Sequence, residues 1–126
     1  MRASMAAAGF VCLAAGGAQA EPTAYLPLDP ALAQGRAIWL ENCEGCHGYG
    51  IAGAPVPMEA DDWRERLRQD RSVLYRHAIE GFFGPDDTFM PPRGGNERLG
   101  DGEVRAAVDY MAALARSYIQ QTEKQR

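Results

Sequence analysis

Lysine is nearly missing from this chain of 126 residues: Lys124 is the only one, and the remaining basic residues are arginines. No function follows from that bias. Basic residues as a whole are outnumbered, 13 Lys and Arg against 17 Asp and Glu, for a net charge of −4. The basic stripe that nucleic-acid binding needs is absent. Long apolar runs are missing too. Ala6 to Gly17 is the most apolar stretch, and it is too short to span a bilayer. Cysteine is scarce, with three in all. None follows Cys46, so a four-ligand structural zinc site cannot be assembled around it. No β-branched run precedes Cys43, which argues against a redox dithiol in a βαβ setting. Internal repeats, low-complexity stretches and β-hairpin signals are likewise not evident.

What the first twenty residues do contain is an export pattern. Arg2 gives a positive start, Ala6 to Gly17 an apolar and small-residue run, and Ala18-Gln19-Ala20 a cleavage site before Glu21. Residues 1–20 therefore read as a cleaved secretory signal peptide, and the periplasm is the expected destination. Val11 stands before Cys12 where a lipoprotein signal would have Gly or Ala, so Cys12 is expected to leave with the leader. From Glu21 onward 12 basic residues face 17 acidic ones, a net charge of −5. No later segment is apolar over a membrane-spanning length, so no transmembrane segment is expected in the mature chain.

The two remaining cysteines fall in Cys43-Glu44-Gly45-Cys46-His47, a C-x-x-C-H run. This is the attachment signal for c-type haem. Each thiol can add across one haem vinyl group, and the histidine then lies under the iron as its proximal ligand. One covalent haem c, held through Cys43 and Cys46 with His47 on the metal, is the expected cofactor. A mature domain of this size buries only a modest core by itself, and a haem adds a large apolar surface to it.

The rest of the mature chain reads as helices and loops. Residues 21–28 carry Pro22 and Pro27 and read as an irregular lead-in, followed by a domain over 29–118 and a polar tail over 119–126. Asp29-Pro30 opens a first helix that runs to the haem motif, with Asp29 as its cap. Gly35 inside that helix costs about 1 kcal/mol relative to Ala, and close passage of another helix is the usual reason for such a residue. Gly48 to Pro57 is a loop. Asp61 or Asp62 caps a short helix through Trp63, Leu67 and Arg68, and Asp70 or Ser72 starts a third that ends at Gly81. Arg64, Arg68 and Arg71 cluster on an outer flank, which reads as a solvated face in preference to a docking patch. Gly84 to Gly95 is a second loop. Val104, Ala107, Val108, Met111, Leu114 and Ala115 form the apolar stripe of a last helix reaching about Ser117. Gln120 to Arg126 is expected to fray. The fold class is all-α, about four helices around one haem.

The second axial ligand decides the chemistry. Met58, Met90, Met111 and His77 are the candidates. Met111 belongs to an apolar helix stripe, His77 sits among charged neighbours, and Met58 follows the attachment site too closely. Met90 lies in a Gly- and Pro-bounded loop, where Pro91 and Pro92 stiffen the backbone. It is the favoured ligand.

With His47 in Cys43–His47 and Met90 in Met-Pro-Pro-Arg-Gly-Gly, the chain resembles the class I c-type cytochromes, and within them the short bacterial cytochrome c-five group. Gly35-Arg36-Ala37-Ile38-Trp39, Gly50-Ile51-Ala52-Gly53-Ala54-Pro55, Trp63 and the run Glu103 to Met111 are similar to that branch. The resemblance implies the cytochrome c fold, with first and last helices crossing at Gly35 near Tyr110. It also implies that the Pro55 carbonyl holds the other ring nitrogen of His47, and that Trp63 lies by a haem propionate. The extra cysteine pair of some members is absent, and Gly100 replaces the usual Ser or Thr cap.

The function so implied is a periplasmic monohaem carrier of single electrons, not an enzyme. Its partners would be redox proteins: a periplasmic dehydrogenase as donor, an oxidase or another cytochrome as acceptor. The alternatives are a dedicated cytochrome subunit of a periplasmic dehydrogenase, oxidising sulfite or an alcohol, and a haem peroxidase or gas-binding protein. The attachment reading carries a direct test. Replacing Cys43 or Cys46 by Ala is expected to leave one thioether, seen as a shifted pyridine haemochrome band. An unshifted band would show that the replaced thiol takes no part.

Overall fold

The computed structural model describes Tyr25 and residues 29–126. The signal-peptide reading for 1–20, and the lead-in apart from Tyr25, lie outside the described residues. Five α-helices follow in order: α1 (Ala33–Asn42), α2 (Glu44–His47), α3 (Ala60–Trp63), α4 (Arg71–Glu80) and α5 (Asp101–Lys124). Two short strands, β1 (Phe82–Phe83) and β2 (Phe89–Met90), lie between α4 and α5. Helix accounts for 67% of the described residues and strand for 4%. The fold is all-α in character, as the sequence predicts.

Local signals explain most helix starts. The Asp29 carboxylate accepts from the Ala31 N–H at 2.8 Å, at the head of a 3₁₀ turn, Pro30–Leu32, that leads into α1. Asp70 caps α4 in the same way, accepting from Ser72 N at 2.8 Å. Gly81, at φ +83°, ends α4 in a backbone conformation that side-chain-bearing residues avoid. Gly100 offers no side chain to cap α5, so its start is held from inside. The Glu103 carboxylate accepts from Gly100 N at 2.8 Å, half of a capping box.

The fold is organised by the crossing of α1 and α5. A Cβ placed on Gly35 would lie 2.1 Å from the Ala106 carbonyl oxygen and 3.2 Å from Tyr110 Cβ. The two backbones are therefore nearly in contact. Around this point Trp39, Tyr110, Leu114 and Trp63 are buried with Ala112 and Ala115. Tyr25 clamps the crossing: its ring meets Trp39 edge-on at 5.1 Å, and its carbonyl accepts from Tyr110 OH at 3.1 Å. A second, smaller cluster of Ala78, Val104 and Val108 joins α4 to α5. Arg71 and Tyr75 both donate to Asp109 on α5, at 2.6 and 2.5 Å, and fix the angle between those helices.

Three expectations need correction. Neither Asp61 nor Asp62 caps the short helix at Trp63: Glu59 precedes α3, with no side-chain cap bond. Asp62 instead accepts from Val56 N at 2.9 Å, pinning the preceding loop. A small antiparallel hairpin was not anticipated. Phe82 pairs with Met90 and Phe83 with Phe89, and Asp86 and Asp87 turn the chain at φ +58° and +57°. The last helix does not stop near Ser117, nor does the tail fray from Gln120. Tyr118 and Ile119 still pack against the core, and Arg64 holds Glu123 at 2.8 Å, so α5 continues to Lys124. The arginine flank is a set of ion pairs: Arg64 with Glu123, Arg68 with Glu65 and Arg71 with Asp109.

Two opposed effects meet at Gly35→Ala. The helix gains about 1 kcal/mol of propensity, while overpacking costs about 1–3 kcal/mol. With a gap of only 2.1 Å to backbone oxygen, the clash wins. We expect a net loss of about 1–2 kcal/mol in denaturant unfolding of the haem-loaded protein. An unchanged or raised midpoint would show that the helices do not cross so closely.

Candidate functional site

The Cys43–His47 run is carried as a continuation of α1. Cys43 N donates to Trp39 O at 2.8 Å and His47 N to Cys43 O at 2.9 Å, so the helix turns once more through the motif. Neither Cys43 nor Cys46 is in a disulfide, and Cys46 is exposed. Burial, aided by the neighbouring Cys46, pushes the Cys43 thiol up to about 11. It is protonated at neutral pH.

His47 is buried, and its Nδ1 lies 2.9 Å from the Pro55 carbonyl oxygen. A carbonyl only accepts, so Nδ1 carries the proton and Nε2 keeps a free lone pair. Burial holds the pKa of His47 below its ordinary value. The bond to Pro55 works against that shift, and the positive charge of Arg66 adds to it. A left-handed backbone at Gly50, Ala52 and Gly53 curls the loop so that Pro55 returns beneath the ring. Asp62, through Val56, holds the loop there.

Met90 arrives from the other side of the chain. Gly81 makes room for its strand: a Cβ there would lie 2.8 Å from Met90 O. Beyond Pro91, the turn Pro92–Gly95 passes Arg93 and Gly94 through left-handed conformations, at φ +57° and +63°. Two staples then fasten the loop. The Arg93 guanidinium donates to Leu99 O at 2.8 Å and to Asp101 at 2.6 Å, at the head of α5. Asn96 Nδ2 donates to Asn42 Oδ1 at 2.8 Å, at the end of α1. Sequence reading did not assign roles to Arg93, Asn42 or Asn96. An arginine between Pro-Pro and Gly-Gly was the one available signal.

His47, Cys43 and Met90 line one narrow cleft, partly open to solvent. Arg93 borders it as well, and most of the remaining wall is apolar, with Ala107, Val108 and Met111 from α5 and Ala78 from α4. The cleft runs between the two hydrophobic clusters. Of the other candidate ligands, Met111 is both core and cleft wall. His77 is stacked on Phe82 at 4.0 Å and does not line the cleft. Met58 packs against the larger cluster and does not line it either. Trp63 is buried in that cluster and does not line the cleft; its Nε1 donor, like that of Trp39, has no partner among the described residues.

This donor set fits a haem. Apolar side chains suit the faces of a flat macrocycle, an imidazole and a thioether suit its iron, and Cys43 lines the same cleft with Cys46 one turn further on. No group of three or more His, Cys, Asp or Glu side chains that could hold a bare metal ion occurs among the described residues.

Comparison with known proteins agrees with that chemistry. Residues 30–111 match the family described as cytochrome C oxidase, cbb3-type, subunit III. The chain is 40% identical over 83 residues to cytochrome c-555 of Prosthecochloris aestuarii, covering 64% of this chain and 84% of that one. It is 32% identical over 79 residues to cytochrome c5 of Ectopseudomonas mendocina, covering 61% and 85% respectively. A solved chain from the crystal structure of an electron transfer complex of nitrite reductase with cytochrome c superposes with a TM-score of 0.57 at 35% identity, covering 71% of this chain and 99% of that chain.

The His47 environment sets a pH dependence. Unfolded, a histidine protonates near 6.5; in the fold His47 is held below that. Its contribution to stability is therefore complete above about pH 6.5 and is lost as pH falls below that value. Iron on Nε2 would compete with the proton and act in the same direction as burial, so urea midpoints of the haem-loaded protein should fall between pH 7.5 and 5. Because burial lowers His77 as well, the fall should persist in His77→Gln. A flat or rising profile in that variant would contradict the assignment.

Proposed function

This chain belongs to the class I c-type cytochromes, monohaem electron carriers, and we propose that it holds a single haem covalently through Cys43 and Cys46, with His47 and Met90 as axial ligands. The observation that carries the reading is that His47 and Met90, 43 positions apart in the numbering, line the same apolar cleft. Pro55 orients the imidazole and makes it a better donor by accepting its Nδ1 proton. Trp63 Nε1 is the donor available to a propionate.

Bound there, haem supplies a one-electron Fe(III)/Fe(II) couple. The chain's residues decide how that couple is used. His47 and Met90 would hold the iron from both sides, which would leave oxygen and peroxide no open site. The thioether of Met90 is soft and favours Fe(II), raising the potential relative to two imidazoles. The loop staples from Arg93 and Asn96 keep the thioether in place in either oxidation state, which limits reorganisation. Apolar side chains from α4 and α5 exclude water from the cleft. Such a centre passes single electrons and disfavours bond-making chemistry.

We place this carrier in the periplasm, on the export pattern of residues 1–20 and the requirement of C-x-x-C-H chemistry for attachment outside the cytoplasm. Among the described residues no helix is long and apolar enough to cross a membrane. Its partners are other redox proteins, a dehydrogenase on the donor side and an oxidase or cytochrome on the acceptor side. The domain over 29–118, with its helical extension to Lys124, is the working unit. The neighbouring cytochrome's complex with nitrite reductase supports docking to larger enzymes as a mode open to this fold.

Met90→Ala tests the ligand assignment. We expect loss of the weak far-red iron–sulfur band of the oxidised protein. The potential should fall by a tenth or more of the roughly 0.8 V that axial ligands span. An unchanged spectrum and potential would transfer the role to Met58 or His77.

A further inference from the structure

The hairpin that carries Met90 also carries most of the exposed large apolar surface of the described chain. Phe83 is 79% exposed, Phe89 48% and Phe82 40%. Phe83 and Phe89 are cross-strand partners whose rings lie 4.7 Å apart. Ile51, 54% exposed, belongs to the turn after the haem motif. That turn abuts the hairpin: a Cβ on Gly53 would come within 2.6 Å of Thr88 Cγ2. The exposed aromatics and the Ile51 turn therefore adjoin, and they flank the backbone on both sides of the cleft residues His47 and Met90.

Folding alone does not explain this arrangement. Each exposed Phe forgoes about 2 kcal/mol of burial. A group of apolar side chains with a polar rim marks an interaction surface, and aromatics are the residues enriched at interface centres. The edge at the hairpin tip is acidic. Asp86 and Asp87 form the hairpin tip, exposed, with no ion pair to either among the described residues.

We propose that Phe83, Phe89 and Ile51, with Asp86 and Asp87 at their edge, are the docking surface for a redox protein whose own contact is a small apolar patch ringed by Lys or Arg. This rests on the electron-carrier reading above and names its partner's chemistry. A basic ring complements the Asp86-Asp87 tip and the overall net charge of −4. A second copy of this chain is disfavoured, because it would bring a like-charged tip and a like-charged body to the contact. The apolar centre allows close approach of the two centres without strong binding, as a small transient interface requires. One electron leaves the reduced chain and one is gained by the partner; no bond is made or broken. β2 joins the docking patch to the cleft, since Phe89 is followed at once by Met90.

The test uses the haem-loaded chain and two oxidants in stopped flow: a lysine-rich mitochondrial cytochrome c as the basic protein partner, and ferricyanide as a small anionic reagent. The variants are Phe83→Ser with Phe89→Ser, and Asp86→Asn with Asp87→Asn. We expect the Phe pair to slow the protein reaction five-fold or more at all salt concentrations, with the ferricyanide rate within two-fold of the parent. The Asp pair should slow the protein reaction at low salt only, flattening its salt dependence. Protein rates within two-fold of the parent for both variants would overturn the proposal. So would equal slowing with both oxidants, which would mean that the haem and not the contact had changed. A concentration-dependent dimer in sedimentation, lost in the Phe variant, would assign the surface to a second copy instead. Failure of the underlying reading looks different: the parent chain would show no covalent haem spectrum before any rate was measured.

Discussion

Everything in this fold follows from how closely α1 and α5 cross. At Gly35 there is no space for a methyl group, because the Ala106 carbonyl lies where it would go. That contact fixes two things together. It sets the end of α1, and so the Cys43–His47 turn that extends it. It also sets the rotation of α5, and so which of its residues bury among Trp39 and Trp63 and which line the cleft. A chain this short has little core to spare, so the crossing and the cleft are solved by the same few side chains. Met111 shows the economy: it is core to one cluster and wall to the site.

The site is built by bringing two distant segments to one slot and then removing their freedom. On the His47 side, the Gly50–Gly53 turn folds back and Pro55 accepts the ring proton. On the Met90 side, prolines stiffen the chain, and Arg93 and Asn96 tie it to α5 and α1. On the ligation proposed above, each fastening would lower the entropy lost in holding a ligand on iron and would discourage the thioether from leaving. Permanent ligation from both sides is what separates an electron carrier from a haem that binds gases or peroxide. On the docking proposed above, the exposed aromatic hairpin would supply the outward half of the same function, since Phe89 is followed at once by Met90.

Legibility in the sequence followed the range of the interaction. Caps at Asp29 and Asp70, the stop at Gly81 and the α5 stripe are local, and each was readable from a few neighbouring residues. Gly35 was readable as a puzzle whose answer is tertiary. The haem motif was readable because covalent chemistry demands fixed spacing. Missed features depend on partners outside the element being read. Asp62 looks like a cap until Val56 N claims its carboxylate. The polar run 119–124 looks frayed until Arg64 reaches Glu123. The hairpin has strands of two residues, and its turn uses two aspartates at positive φ where a glycine would have given the signal. Arg93, which locks the ligand loop, announces nothing by its type.

The central claim is that Met90, and none of the other methionines, completes the coordination opposite His47. The most direct measurement is a proton–carbon NMR spectrum of the reduced protein with its methionine methyl groups labelled with carbon-13. A methyl group on the iron lies in the ring current of the macrocycle and is moved far upfield of the rest. The account predicts one such methyl signal, assigned to Met90, with Met58 and Met111 at less displaced positions. An upfield signal belonging to Met58 or Met111, or none at all, would contradict it.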